Sequence, residues 1–381
     1  MIKYISIEIY ISIEYPHNLI CGDKNFKAIL LFKLLISVFS FWFSCKFNFF
    51  FHLLQVKISI WSLIGRSVAY IENPILHKTD QLSFSPCGEY FAIIIGSIDN
   101  YQMAIFSTTS WTSKLILKCT GQINIPSNPL WSPNSLFLAI YDKIDLKTCK
   151  CEVYSVEHGK KVGGYQKPQN NQITAIRKIS WSPNSQFLAI GCYDEEIQVL
   201  NYITWTPVME FKHTQIIKND ECQIFQEVEI RPKNVIHELT LERPLTFTSL
   251  KKSLQPLRLP GIKYLLFSYD SQFIASCSEL MPAVVWIWSL ETFKLKSVVI
   301  LTNAISDLKW DFKNLNLLIC SKSNNVTIWQ PEKPIHLDLL KFGVGENVSI
   351  QNGCFGQSSS LNCSNLCLLN STTMYIIHDF I

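Results

Sequence analysis

Residues 179–200 read ISWSPNSQFLAIGCYDEEIQVL, three short apolar runs (Ile179–Trp181, Phe187–Ile190 and Ile197–Leu200) separated by polar breaks. Ser-Pro-Asn-Ser at 182–185 fills the first break. Pro183 pre-sets φ for the second position of a β-turn, and Asn184 tolerates the geometry that follows. Tyr-Asp-Glu-Glu at 193–196 is too polar to continue a strand and suits a second turn. The stretch therefore reads strand, turn, strand, turn, strand.

The same pattern returns at 82–94 (LSFSPCGEYFAII), 129–142 (PLWSPNSLFLAIYD), 265–278 (LLFSYDSQFIASCS) and 308–321 (LKWDFKNLNLLICS). Its turn positions, Pro86, Pro133, Pro183, Tyr269 and Phe312, step by 47, 50, 86 and 43 residues. A second signature, apolar-x-apolar-aromatic or aliphatic, follows each copy and ends at Trp61, Phe106, Tyr154, Leu200, Trp288 and Trp329, with steps of 45, 48, 46, 88 and 41. Two independent signals share one period, close to the ~40–45 residues of a WD-type propeller blade. The expected fold is all-β, a WD40-type β-propeller with about six recognisable blades in an incomplete or open ring.

The repeats resemble WD blades without their Gly-His and Trp-Asp dipeptides: Trp61 precedes Ser62, Trp288 precedes Ser289 and Trp329 precedes Gln330. The His/Asp/Trp network of well-formed WD blades is therefore not expected, and apolar packing is left to hold the blades together. The phrases at 181–205, 210–220 (EFKHTQIIKND), 282–295 (PAVVWIWSLETFKL) and 308–320 further resemble, in order, the WD-repeat family of centrosomes and spindle poles, the WD-repeat protein eight branch. That resemblance, running from about Lys57 to about Gln330, implies a scaffold at centrosomes, spindle pole bodies or basal bodies. It implies complexes with a coiled-coil microtubule-anchoring protein and a minus-end-directed kinesin, in support of microtubule anchoring, spindle organisation and cilium assembly.

Composition agrees with a packed, uncharged repeat protein. Over 381 residues, 48% are hydrophobic and 17% charged, and 34 basic against 30 acidic residues leave a net charge of +4. So even a balance gives no electrostatic reason to expect nucleic acid or an anionic membrane as partner. The 13 cysteines, scattered through a chain of this length, read as free, mostly buried thiols in a reducing, cytoplasmic setting rather than a disulfide framework.

Residues 1–56 stand outside the pattern. Ala28–Cys45 (AILLFKLLISVFSFWFSC) and the Phe-rich stretch after it run straight into Lys57–Trp61, which reads as the last strand of a blade whose first three strands are absent. Three readings stay open: translated non-coding sequence in place of earlier blades, a membrane anchor over 28–53, or a buried helix. Residues 57–381 form the propeller. Within it, 212–262 breaks the period by about forty residues and is rich in charge and proline. It is read as a long excursion from one blade, with strands near Gln223–Ile230 and His237–Leu241, and serves either as a docking segment or as a solvated loop.

Motifs for chemistry are missing. No phosphate-binding glycine loop, nucleophile elbow or zincin helix is present, and the eight histidines are dispersed. No enzyme, cofactor or metal site is expected. Cys149-x-Cys151 puts two thiols on one face of a strand and reads as packing, and Asp194, Glu195 and Glu196 read as turn residues. Trp111, Trp205 and Phe293 follow strand ends at one repeated place, in TTSWTSK, NYITWTP and SLETFKL. They are either inter-blade packing residues or a row of partner-binding hot spots on the rim.

Overall fold

The computed structural model describes residues 40–44, 49–53, 57–62, 68–72, 83–97, 100–118, 127, 129–142, 149–167, 175–218, 222–231, 234–247, 260–342, 344–345, 348–356, 365–370 and 373–377. Among these there is no α-helix; the strands fall into eight sheets, seven of them successive blade-like sheets and one a two-stranded pair within 212–262, and every pairing but one is antiparallel. The fold is all-β and of WD40 propeller type.

Sheet 1 orders β1 (Ser40–Ser44), β2 (Phe49–Leu53), β3 (Lys57–Ser62) and β4 (Val68–Glu72). Sheet 2 holds β5 (Ser83–Phe84), β6 (Tyr90–Ser97), β7 (Asn100–Ser107) and β8 (Ser113–Lys118). Sheet 3 holds β9 (Leu130–Trp131), β10 (Phe137–Tyr141), β11 (Lys150–Ser155) and β12 (Lys160–Gln166). Sheet 4 holds β13 (Ile176–Trp181), β14 (Phe187–Cys192), β15 (Glu196–Asn201) and β16 (Pro207–Lys212).

The excursion contributes β17 (Ile216–Ile217), β18 (Gln223–Arg231), β19 (Asn234–Leu239) and β20 (Leu245–Thr246). Sheet 5 holds β21 (Ile262–Phe267), β22 (Phe273–Ser278), β23 (Val284–Ser289) and β24 (Leu295–Ile300). Sheet 6 holds β25 (Asp307–Trp310), β26 (Leu317–Cys320), β27 (Asn325–Trp329) and β28 (Ile335–Asp338). Sheet 7 has three strands, β29 (Asn352–Gly356), β30 (Asn365–Leu369) and β31 (Met374–Ile377). Among the described residues, no strand of sheet 1 pairs with one of sheet 7.

Two features differ from the sequence reading. The aromatic-ended strands β7, β11, β15, β23 and β27 are third in their sheets, not last, because a fourth outer strand follows each. Outer strands such as β8 and β16 are largely solvated, with burial alternating toward one face, so they carry little apolar signature. Lys57–Ser62 is likewise third, with β1 and β2 ahead of it and β4 behind, so the described blade-like sheets number seven rather than six units plus an orphan strand. Residues 1–39 lie outside the described residues, and with them much of the 28–53 segment. No described helix is long and apolar enough to cross a membrane.

The excursion is packed rather than loose. β18 pairs with β24 in parallel, Gln223 opposite Ser297 through Gln226 opposite Ile300, and β19 pairs back on β18. Sheet 5 thereby grows to six strands. Ile217, Cys222, Ile224 and Phe247 join the core shared by sheets 4 and 5. Glu227 Oε2 accepts Thr302 N–H at 2.6 Å and the Thr302 hydroxyl at 2.7 Å, and His237 Nε2 lies 3.0 Å from Thr327 Oγ1 of sheet 6. The segment straps sheet 5 to sheet 6.

Candidate partner-binding face

A strand order of first to fourth puts the first and third hairpin turns of each sheet at one end. The first turn is built by its serine. In sheet 4, Ser182 Oγ donates to Asn184 Oδ1 (2.6 Å) and accepts Phe187 N–H (2.9 Å); Ser132 does the same for Asn134 and Phe137 in sheet 3. The fourth turn residue sits at positive φ: Gly88 (82°), Ser135 (62°), Ser185 (61°) and Ser271 (61°). Glycine takes that conformation without strain; the serines compensate with a bond that glycine cannot make. Ser135 Oγ accepts Cys87 N–H (3.1 Å), Ser185 Oγ accepts Asn134 N–H (3.0 Å) and Ser271 Oγ accepts Asn184 N–H (3.2 Å).

A second set of clips runs alongside. The indole N–H of Trp131, Trp181 and Trp310 donates to the backbone carbonyl of Ser83, Leu130 and Leu266 at 3.1, 3.2 and 3.1 Å, each on the first strand of the preceding sheet. First strands therefore stand side by side, and the turns of successive sheets share one face.

Trp111, Trp205 and Phe293 all occupy the third-hairpin turn at positive φ (54°, 55° and 58°), with Gly159 (62°) in their place in sheet 3. The structure separates them. Trp205 is buried, edge-on to Trp181 (6.0 Å, 88°) and Phe137 (5.5 Å, 74°), and seated where Gly163 has no side chain: a Cβ there would lie 2.1 Å from the indole. It is not a surface residue, because its ring fills the gap between sheets 3 and 4. Trp111 is half-buried against Phe84 and Phe91. Phe293 is 60% exposed.

Other residues of the same face accompany Phe293. Leu136, Tyr269 and Phe312 on first turns and Ile203 on a third turn are exposed. Turn positions are ordinarily polar, so an aliphatic or aromatic residue there is the signal that identifies them. Together they form an apolar row over sheets 3 to 6.

At the opposite end, the turn of sheet 4 is polar. In the second turn of sheet 4, Glu195 takes positive φ (69°) and Asp194 Oδ1 accepts Glu196 N–H (3.3 Å), as the turn reading of this acidic group expects. Lys167 lies 2.7 Å from Asp194 and also contacts Glu196, which Lys212 reaches at 2.7 Å. Burial pushes the Asp194 carboxyl up, while Glu196, between two lysines, is held below the usual range despite its own burial.

One polar network corrects the expectation of purely apolar blades. His213 Nε2 is 2.8 Å from Ser276 Oγ, which also accepts the Trp288 indole N–H at 2.9 Å, and His213 Nδ1 is 3.3 Å from Glu195 Oε2. A His-Ser-Trp chain joins sheets 4 and 5 although no dipeptide motif announces it: His213 follows Lys212 and Trp288 precedes Ser289. Burial lowers the His213 pKa, with Glu195 opposing, so the ring is neutral at pH 7.

Cys149 and Cys151 are both buried, and Cys149 Sγ meets Cys192 Sγ across sheets 3 and 4 at 3.5 Å. Among the described residues no three His, Cys, Asp or Glu side chains are grouped to hold a metal ion.

Residues 130–221 match the WD40 domain of anaphase-promoting complex subunit 4. The chain is 30% identical over 301 residues to the mouse WD repeat-containing protein WRAP73, covering 73% of this chain and 63% of that protein. It is 22% identical over 263 residues to an uncharacterized WD repeat-containing protein of Schizosaccharomyces pombe, covering 67% and 51%. The chain thus spans between half and two thirds of the length of these relatives. A chain in the crystal structure of the mitotic checkpoint complex aligns over 87% of this chain and 86% of its own at a TM-score of 0.47 and 12% identity. The repeats are of WD40 type, and these named matches include no catalytic family.

Proposed function

We propose that this WD40-repeat chain is a non-enzymatic scaffold at the centrosome, spindle pole or basal body, binding protein partners through its apolar turn face. The observation that carries the binding reading is the row Leu136, Ile203, Tyr269, Phe293 and Phe312, exposed along successive sheets. Exposed aromatic and aliphatic residues grouped on a rigid frame are what protein interfaces anchor on. Support for the location comes from the in-order resemblance over about 57–330 and the 30% identity to WRAP73. On this reading the partners are a coiled-coil microtubule-anchoring protein and a minus-end-directed kinesin, and the cellular role is microtubule anchoring, spindle organisation and cilium assembly.

Affinity purification of the tagged full chain from dividing and ciliated cells tests it. Centrosomal or microtubule proteins should be recovered with the wild type and depleted with Ile203→Ser/Phe293→Ser. Recovery of ribosomal proteins without centrosomal ones would overturn the location, and retention in the carbonate-washed membrane pellet would favour a membrane-tethered propeller instead.

A further inference from the structure

Sheet 7 turns one face to sheet 6, and on the other, among the described residues, apolar side chains are exposed. Phe355, Leu366, Leu368 and Ile377 pack against Leu318, Cys320, Val326 and Ile328, and a Cβ on Gly353 would meet Leu318 at 2.7 Å. Side chains alternate across a strand, so Cys354, Cys367, Leu369, Met374 and Ile376 fall on the far side. There Leu369, Met374 and Ile376 are exposed, Cys354 is exposed and Cys367 half-buried. Cys354 and Cys367 are direct cross-strand partners in the β29–β30 register. Directly opposed residues hold their Cβ atoms about 4.5–5.5 Å apart, and a disulfide needs about 3.5–4.5 Å, so a small closing of the pair brings the sulfurs into bonding range.

We propose that Cys354 and Cys367 form a peroxide-oxidisable dithiol, a reversible modification site on the far face of the last sheet. The Cys354 thiolate, the more accessible of the two, attacks one oxygen of hydrogen peroxide, the O–O bond breaks, and a sulfenic acid forms with release of water. Cys367 then attacks the sulfenic sulfur and displaces its hydroxyl as a second water. Two thiols and one peroxide give one disulfide and two waters; the two sulfurs are oxidised and the peroxide oxygens reduced. Cys367 is the resolving partner because burial and the neighbouring thiol push its pKa up, leaving less thiolate for the first attack. Cys149 and Cys192 supply an internal contrast: their sulfurs are 3.5 Å apart, but both are wholly buried, and burial together with the Cys149 thiol raises the Cys192 pKa well above the ordinary range.

The test is peroxide titration of the reduced full chain, alkylation under non-reducing conditions and peptide mapping. A Cys354–Cys367 cross-link should appear first, reverse with dithiothreitol, and precede any Cys149–Cys192 link. In Cys367→Ser, dimedone should trap a sulfenic acid on the exposed Cys354; in Cys354→Ser, trapping at the half-buried Cys367 should be weaker. The wild-type map requires no variant to fold. Independent alkylation of Cys354 and Cys367 after peroxide, pairing of either with Cys363, or prior formation of the Cys149–Cys192 link would overturn the proposal.

Discussion

His213 Nε2 and Ser276 Oγ lie 2.8 Å apart across a sequence separation of 63 residues, and the same serine oxygen takes the Trp288 indole N–H. Removing the serine hydroxyl leaves two buried polar groups without their partner. Ser276→Ala should therefore destabilise the chain by about 1–3 kcal/mol, read as a lower urea midpoint with unchanged slope. His213→Ala should couple to it in a double-mutant cycle.

Burial lowers three histidines: His213, His336, and His237 down to about 4. Unfolded, each titrates near 6.5, so below that pH the unfolded chain binds more protons than the folded one. Stability is full above about pH 6.5 and falls as pH drops; for His237 the loss runs to about pH 4 at up to about 1.4 kcal/mol per pH unit, and His213 and His336 act in the same direction. Denaturant midpoints at pH 7 and 5 check this. Glu227 favours the charged form of His237 and His336, and Lys333 opposes it at His237. His237→Gln should flatten the profile; an unchanged profile would count against the shift.

Gly163→Ala drives a methyl into the Trp205 indole. Overpacking of this kind costs about 1–3 kcal/mol. Trp205→Ala loses ring packing on its own, but the double variant should be less destabilised than the sum, because the small side chain accommodates the new methyl. Tryptophan fluorescence and thermal midpoints read both effects.

Ser185→Ala removes the acceptor for Asn134 N–H and keeps the positive φ, whereas Ser185→Gly relieves the φ but loses the same bond. The alanine variant should lose about 1–2 kcal/mol and the glycine variant less. Equal losses would show that the clip between sheets outweighs the backbone.

Ile203→Ser and Phe293→Ser remove exposed apolar surface only. They should leave the unfolding free energy within about 0.5 kcal/mol of wild type while weakening partner capture.

Much of the architecture was legible because Ser-Pro-Asn-Ser and its relatives punctuate apolar runs at a fixed period. The turn serines read as punctuation in the sequence, whereas their bonds to the neighbouring sheet do not show there, since a clip between Ser185 and Asn134 depends on two blades being placed side by side. Trp205 stands at a repeated position in the sequence, yet only the missing Cβ of Gly163 reveals that it points inward. The His213–Ser276–Trp288 chain escaped notice because its members are brought together by folding rather than by a dipeptide. The excursion looked polar, and its alternate strand residues, Ile224 among them, gave no hint of the parallel seam with β24.

That seam has a consequence for synthesis. Residues 223–226 leave the ribosome before their pairing partners at 297–300 exist, so the outer edge of the fifth blade waits, half-made, while the rest of that blade is translated. Long-range parallel pairing is slow and exposes unpaired edges. This joint is therefore where nascent chains should need chaperones most.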